Sequence, residues 1–164
     1  MTPFAVALLG KGGGSRGWLA EEIDLGSCES IDDVADALSD LDHAVRLLAV
    51  EQDDEYAVLV RLDAGDGPIR VFLSNGHAAD GYPLAALFAD GLEEIGGDPL
   101  DGDEDAPPAH DAVPFGDAAL LEDFGISAAE LIELAVHPST LPIDLIESVC
   151  ERLGCPAELE AVRG

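Results

Sequence analysis

The chain predicts an α+β fold: a mostly antiparallel sheet of about five strands with helices packed on it, followed by a small all-α C-terminal unit. Three observations carry this reading. Short apolar runs and segments of helical period follow one another in the order strand, strand, helix, three strands, helix. The links between successive strands are short and polar, which favours antiparallel neighbours over crossover units. Beyond residue 114 the strand-like runs stop and helix signals succeed each other.

The first element is the apolar run at residues 3–9, read as a buried strand. Glycines from Gly10 to Gly17 break the chain, and Trp18–Leu25 reads as a second strand closing a hairpin with a flexible tip. Ser30 then stands where a helix N-cap belongs. Ile31, Val34, Ala35, Leu38 and Leu41 recur on one helical face, and Asp32 and Asp33 suit the positive end of the helix dipole. Arg46–Glu51 and Tyr56–Leu62 read as strands around a polar turn at Gln52–Glu55, and Ile69–Leu73 as a fifth strand. Ser74-Asn75-Gly76 marks a turn before a helix over Ala78–Leu92.

Residues 93–114 combine Gly, Pro and Asp with few large apolar groups and read as an acidic, flexible linker. The division is therefore an α+β domain at 1–92, the linker, and a helical unit at 115–164. In that last unit Phe115–Phe124 is expected as a short helix. Ser127 and Glu130 have the spacing of a capping box. Pro142 opens a helix with Leu145, Ile146, Val149 and Leu153 as its stripe, and Gly154 suits the position just past its end. Pro156 begins a final short helix. Some 50 residues give a marginal core of their own, so this unit is expected to dock on the sheet or on a partner.

Charge narrows the function. Seven Lys and Arg stand against 35 Asp and Glu, for a formal charge of −28. Between Arg70 and Arg152 there is no basic side chain in 81 residues, while 18 Asp and Glu fall there. Such a surface repels phosphate backbones and anionic lipid and attracts basic proteins. Direct nucleic-acid binding and membrane binding are not expected. GC-rich composition or adaptation to salt would produce the same imbalance without any partner. Three cysteines, Cys28, Cys150 and Cys155, match no disulfide framework and point to a reducing cytoplasm. No apolar run nears the roughly 18 residues that span a bilayer, and no secretory leader is expected.

The candidate chemistries are weak. The Gly10–Gly17 loop with Lys11 and Arg16 lacks the Gly-Lys-Ser/Thr ending of a P-loop and precedes a strand, so a hairpin tip is the stronger reading. Ser74, His77 and Asp80 crowd into seven residues without a nucleophile elbow, and helix capping by Ser74 or Asn75 is the stronger reading. Cys150, Cys155 and His137 fall short of a zinc set. Asp101, Asp103 and Asp105 begin like a calcium loop but lack its glycine and final glutamate. No metal, cofactor or catalytic residue is therefore assigned, and no zinc-deaminase signature occurs. Trp18, beside the glycine loop, is the candidate anchor for a partner, with Glu21, Glu22 and Asp24 next to it. A core position is the stronger reading for Trp18.

Three stretches together resemble a known family: Phe4–Leu9 leading into Trp18 and Glu22–Leu25; Arg70–Ser74 before a helix; and Asp123–Leu131, Leu141–Leu145 and Glu151–Gly154. The chain is similar to the actinobacterial tRNA adenosine deaminase-associated proteins over nearly its whole length. The resemblance implies a cytoplasmic setting and a tRNA adenosine deaminase as partner; with the base-free acidic stretch, it leads to the expectation of a non-enzymatic accessory or adaptor protein that binds the deaminase or another basic protein. It carries over no functional residues. The alternative is an enzyme of unknown class using Glu21, Glu22 and Asp24 beside Trp18, which requires burial to split their acidities.

Overall fold

The computed structural model describes residues 4–10, 18–41, 43–63, 69–94, 114–137 and 140–163. Six antiparallel strands form one sheet: β1 (Phe4–Gly10), β2 (Leu19–Glu22), β3 (Val45–Gln52), β4 (Tyr56–Asp63), β5 (Arg70–Leu73) and β6 (Phe115–Gly116), in the spatial order β2-β1-β3-β4-β5-β6. The helices are α1 (Ile31–Ser39), α2 (Pro83–Glu94), α3 (Ala128–Val136), α4 (Pro142–Leu153) and α5 (Pro156–Arg163), with 3-10 turns at Gly76–Asp80 and Glu122–Phe124. The expected α+β architecture is present, with one strand more than expected.

Both faces of the sheet are covered, which explains why β1, β3 and β4 read as continuous apolar runs and not as alternating ones. Successive side chains point to opposite faces. Val6, Leu8, Leu47, Ala49, Leu59 and Phe72 share one core with Leu120, Leu121, Ile126, Leu145 and Val149 from the C-terminal segment. Leu48, Val50, Val58, Val60, Val71 and Leu73 share the other with Ile31, Val34 and Leu38 of α1 and Ala85, Phe88 and Leu92 of α2. The C-terminal helices thus dock on the sheet, α4 over β3 and β4 and α5 against β2.

The register runs through the molecule without a break: Val6 opposite Ala49, Ala49 opposite Leu59, Leu59 opposite Phe72, and Phe72 opposite Gly116. That last pair marks a correction. Residues 115–124, expected as a short helix, form β6, a turn and a single 3-10 turn. Gly116 takes φ +99°, which a helix does not allow, and the Asp117 amide donates to the Val71 carbonyl at 2.8 Å.

The caps differ in one place from the sequence reading. Ser30 occupies the N-cap of α1, yet its hydroxyl makes no capping bond. Asp33 in the first turn accepts instead from the Glu29 amide, just before the cap, at 2.9 Å, which fixes the entry of the chain into the helix. Ser127 caps α3 as its spacing predicts, accepting from the Glu130 amide. Gly154 ends α4 at φ 89°, and the Gly154 and Cys155 amides both donate to the Cys150 carbonyl. The glycine loop at 11–17, Asp101–Asp105 and nearly all of the linker lie outside the described residues.

Candidate partner-binding surface

The edge strand β2 is four residues long, with Leu19, Glu21 and Glu22 exposed. Leu19 is 56% exposed. A short edge carrying charge discourages pairing with a stray strand. Trp18, just before it, is 7% exposed. Its ring lies over Gly10, where a Cβ would come within 2.9 Å of it, and it meets Phe124 edge-on with centroids 5.4 Å apart. The proposed anchor therefore faces inward: the absence of a side chain at Gly10 opens a slot that the indole fills. Glu21, Glu22 and Asp24 are open to water, so the burial on which the enzyme alternative depends is not found at these three carboxylates.

Phe124 also carries Arg61. The guanidinium of Arg61 stacks 4.8 Å from the ring centroid, donates to the Leu120 carbonyl, and bonds both Asp63 and Asp123. The side chain of Arg61 is only 6% exposed, whereas Asp63 and Asp123 are about half exposed. The Arg61 bonds hold the Asp123 carboxyl below its ordinary acidity range and raise the arginine's own. Arg70 pairs with Asp117, and Arg152 with Glu130 at 2.8 Å. Each of these three arginines is thus paired with a carboxylate of the same chain.

An open groove of about 1170 Å³ adjoins β2. Its lining comes chiefly from the β2–α1 connection and from α2. Apolar side chains of Phe4, Ile23, Leu25, Leu84 and Leu87 contribute to its lining. Glu22, Asp24, Glu29 and Asp90 contribute carboxylates, and among the described residues no lysine or arginine lines it. Cys28 also lines it. Burial, with Asp33 and Asp24 nearby, pushes the Cys28 thiol up and keeps it protonated. A second, smaller cleft of about 350 Å³ lies between α3 and α4, where His137 and Arg152 accompany Glu130, Glu133 and Glu151.

The remaining candidates resolve into structure. Ser74 is buried and bonds Ala57 twice: its hydroxyl accepts from the Ala57 amide at 2.8 Å, and its own amide donates to the Ala57 carbonyl. It extends the β4–β5 ladder and does not cap a helix. Cys150 and Cys155 are buried beside each other at the end of α4, and the hydrogen bond to the Cys155 sulfur, with burial, holds Cys150 as a thiol. His137 is exposed. Among the described residues no group of three or more His, Cys, Asp or Glu side chains could hold a metal ion, and no helix is long and apolar enough to cross a membrane.

Sequence reasoning missed the groove. Its parts, residues 4–5, 22–29, 52 and 83–90, are distant in sequence. The usable signal was the pair Leu84 and Leu87, which stay only partly buried while Ala85, Phe88 and Leu92 of the same helix are buried in the core.

A family model described as Rv3753c-like tRNA adenosine deaminase-associated protein matches residues 3–156. No curated protein and no solved structure matches the chain.

Proposed function

The chain belongs to the Rv3753c-like tRNA adenosine deaminase-associated protein family, and from that premise we propose that it is a non-enzymatic accessory protein. It binds a tRNA adenosine deaminase in the cytoplasm through its anionic surface. One observation supports the anionic part of the reading above others: Arg61, Arg70 and Arg152 are each paired with a carboxylate of the same chain. Their charge is not offered to an outside anion, and a phosphate backbone meets mainly Asp and Glu. A tRNA-binding enzyme carries basic surface for its substrate. An acidic partner is steered toward that surface quickly, and salt weakens the encounter.

In this reading Glu21, Glu22 and Asp24 supply exposed charge at the sheet edge. Trp18 acts from behind them, fixing β2 in place. The protein thereby covers or stabilises the basic face of the deaminase without binding tRNA itself. Co-elution of the two purified proteins at low salt, lost at high salt, tests the association. A gel shift of tRNA by the accessory chain alone near physiological salt would contradict the division of labour.

A further inference from the structure

We propose that the groove between the β2–α1 connection and α2 is a docking site for a basic amphipathic helix of the partner protein. This deepens the accessory reading and rests on it for the identity of the partner, though the groove's chemistry is testable without the deaminase.

The shape sets the scale. At about 1170 Å³ and open along one side, the groove exceeds the usual small-ligand pocket of roughly 300–1,000 Å³. Phe4, Leu84 and Leu87 offer apolar surface from two separate elements, and Ile23 and Leu25 add to it from the connection. Binding of an amphipathic helix in a groove uses such a floor for apolar residues recurring at i, i+3, i+4 and i+7.

The charge selects among helices. Glu22, Asp24 and Glu29 come from the end of β2 and the connection and Asp90 from α2, with no basic side chain among the described residues of the lining. An acidic or neutral helix would bury these carboxylates against no counter-charge. A helix with Lys or Arg flanking its apolar stripe places a cation near each of them, and long cationic side chains cover apolar surface with their stems on the way. Asp24 is already turned toward the backbone at one oxygen, accepting from the Gly26 amide at 2.8 Å, which fixes the connection that lines the groove.

The test uses the full chain, isotope-labelled, and an 18-residue amphipathic peptide of leucine and lysine, with a leucine–glutamate peptide of the same pattern as control. The expected result is saturable binding of the lysine peptide, with the largest NMR shift changes at Ile23, Leu84 and Leu87. The double variant Glu22→Lys/Asp24→Lys should weaken it about tenfold, while Asp32→Lys/Asp36→Lys on the exposed face of α1 should weaken it less than about twofold. Shift changes spread over the acidic surface and sparing the groove overturn the proposal. So does binding unaffected by the groove variants, or occupation of the groove by residues 1–3 of the chain itself, seen as nuclear Overhauser contacts to Leu84. Titrating the same variants against the deaminase separates the two readings. Wild-type binding retained by the groove variants sinks the groove alone, and no wild-type binding sinks the accessory reading while leaving the peptide result to judge the groove.

Discussion

The Arg61 guanidinium donates to both carboxylate oxygens of Asp123, at 2.6 and 2.8 Å, across 62 residues of sequence. This pair fastens the 3-10 turn before α3 to the centre of the sheet. Arg61 completes the attachment through the Leu120 carbonyl and the Phe124 ring, and Phe124 in turn meets Trp18. One line of side chains thus runs from the edge strand to the C-terminal segment.

Removing the arginine should cost much more than removing one of its acids. Arg61→Ala leaves a buried gap and two unpaired carboxylates, and is expected to lower stability by about 2–4 kcal/mol in urea denaturation. Asp123→Asn, at a half-exposed position with Asp63 still in place, should cost about 0.5–1.5 kcal/mol. The pH dependence has a definite sign. The folded Asp123 carboxyl lies below its unfolded value, so its contribution is complete above the unfolded carboxylate range. It is lost as pH falls below about 4. Asp123→Asn should flatten that acid limb, and equal acid sensitivity in both proteins would contradict the pairing.

Gly116 is where the chain re-enters the sheet. At φ +99° an added Cβ would run into the Val71 carbonyl oxygen and approach the Leu92 side chain at 2.9 Å. Gly116→Ala is expected to cost about 2–4 kcal/mol, since backbone strain and a clash with backbone act together. Hydrogen exchange should show the Asp117 amide, which donates to the Val71 carbonyl, losing protection first. A wild-type melting curve for this variant would refute the β5–β6 pairing.

The β3–β4 turn offers a gain. Asp53 and Asp54 both have positive φ, at 54° and 58°, and the Glu55 amide closes the turn on the Gln52 carbonyl. Hairpin turns of this hand favour Asn-Gly at the two central positions. Asp54→Gly should therefore stabilise by about 0.5–1 kcal/mol. It also removes one acid beside Glu51, whose carboxyl burial already pushes up. Glycine keeps the residue-54 amide that donates to the Glu51 side chain, so unchanged or lower stability would contradict the strain assigned to Asp54.

A chain of formal charge −28 should resist its own compaction at low salt. Raising sodium chloride from about 20 to 500 mM shortens the screening length well below the size of the domain. Relief of about 1–2 kcal/mol would raise Tm by about 3–6 °C for a chain of this length. A Tm that falls with salt would mean that favourable ion pairs such as Arg70–Asp117 outweigh the repulsion.

Local signals made most of the fold legible. The apolar runs of β1, β3, β4 and β5, the stripe of α1, and the Ser127 and Gly154 caps all depend on neighbours within a few residues. Two things depended on distant ones. β6 is a two-residue strand whose only support is β5, and no period can be read from Phe115-Gly116. Trp18 reads as a core residue more readily than as an anchor, but the slot at Gly10 and the contact with Phe124 that hold it come from other segments. The groove escaped for the same reason: Leu84 and Leu87 read as ordinary helix residues until the β2–α1 connection is placed across from them.

The measurement that bears most directly on the accessory reading is titration calorimetry of this protein against the tRNA adenosine deaminase of the same organism, at about 50 and 300 mM salt. The account predicts saturable binding at the lower salt, weakened at least about tenfold at the higher. No heat of binding at either salt, with both proteins folded, would contradict it.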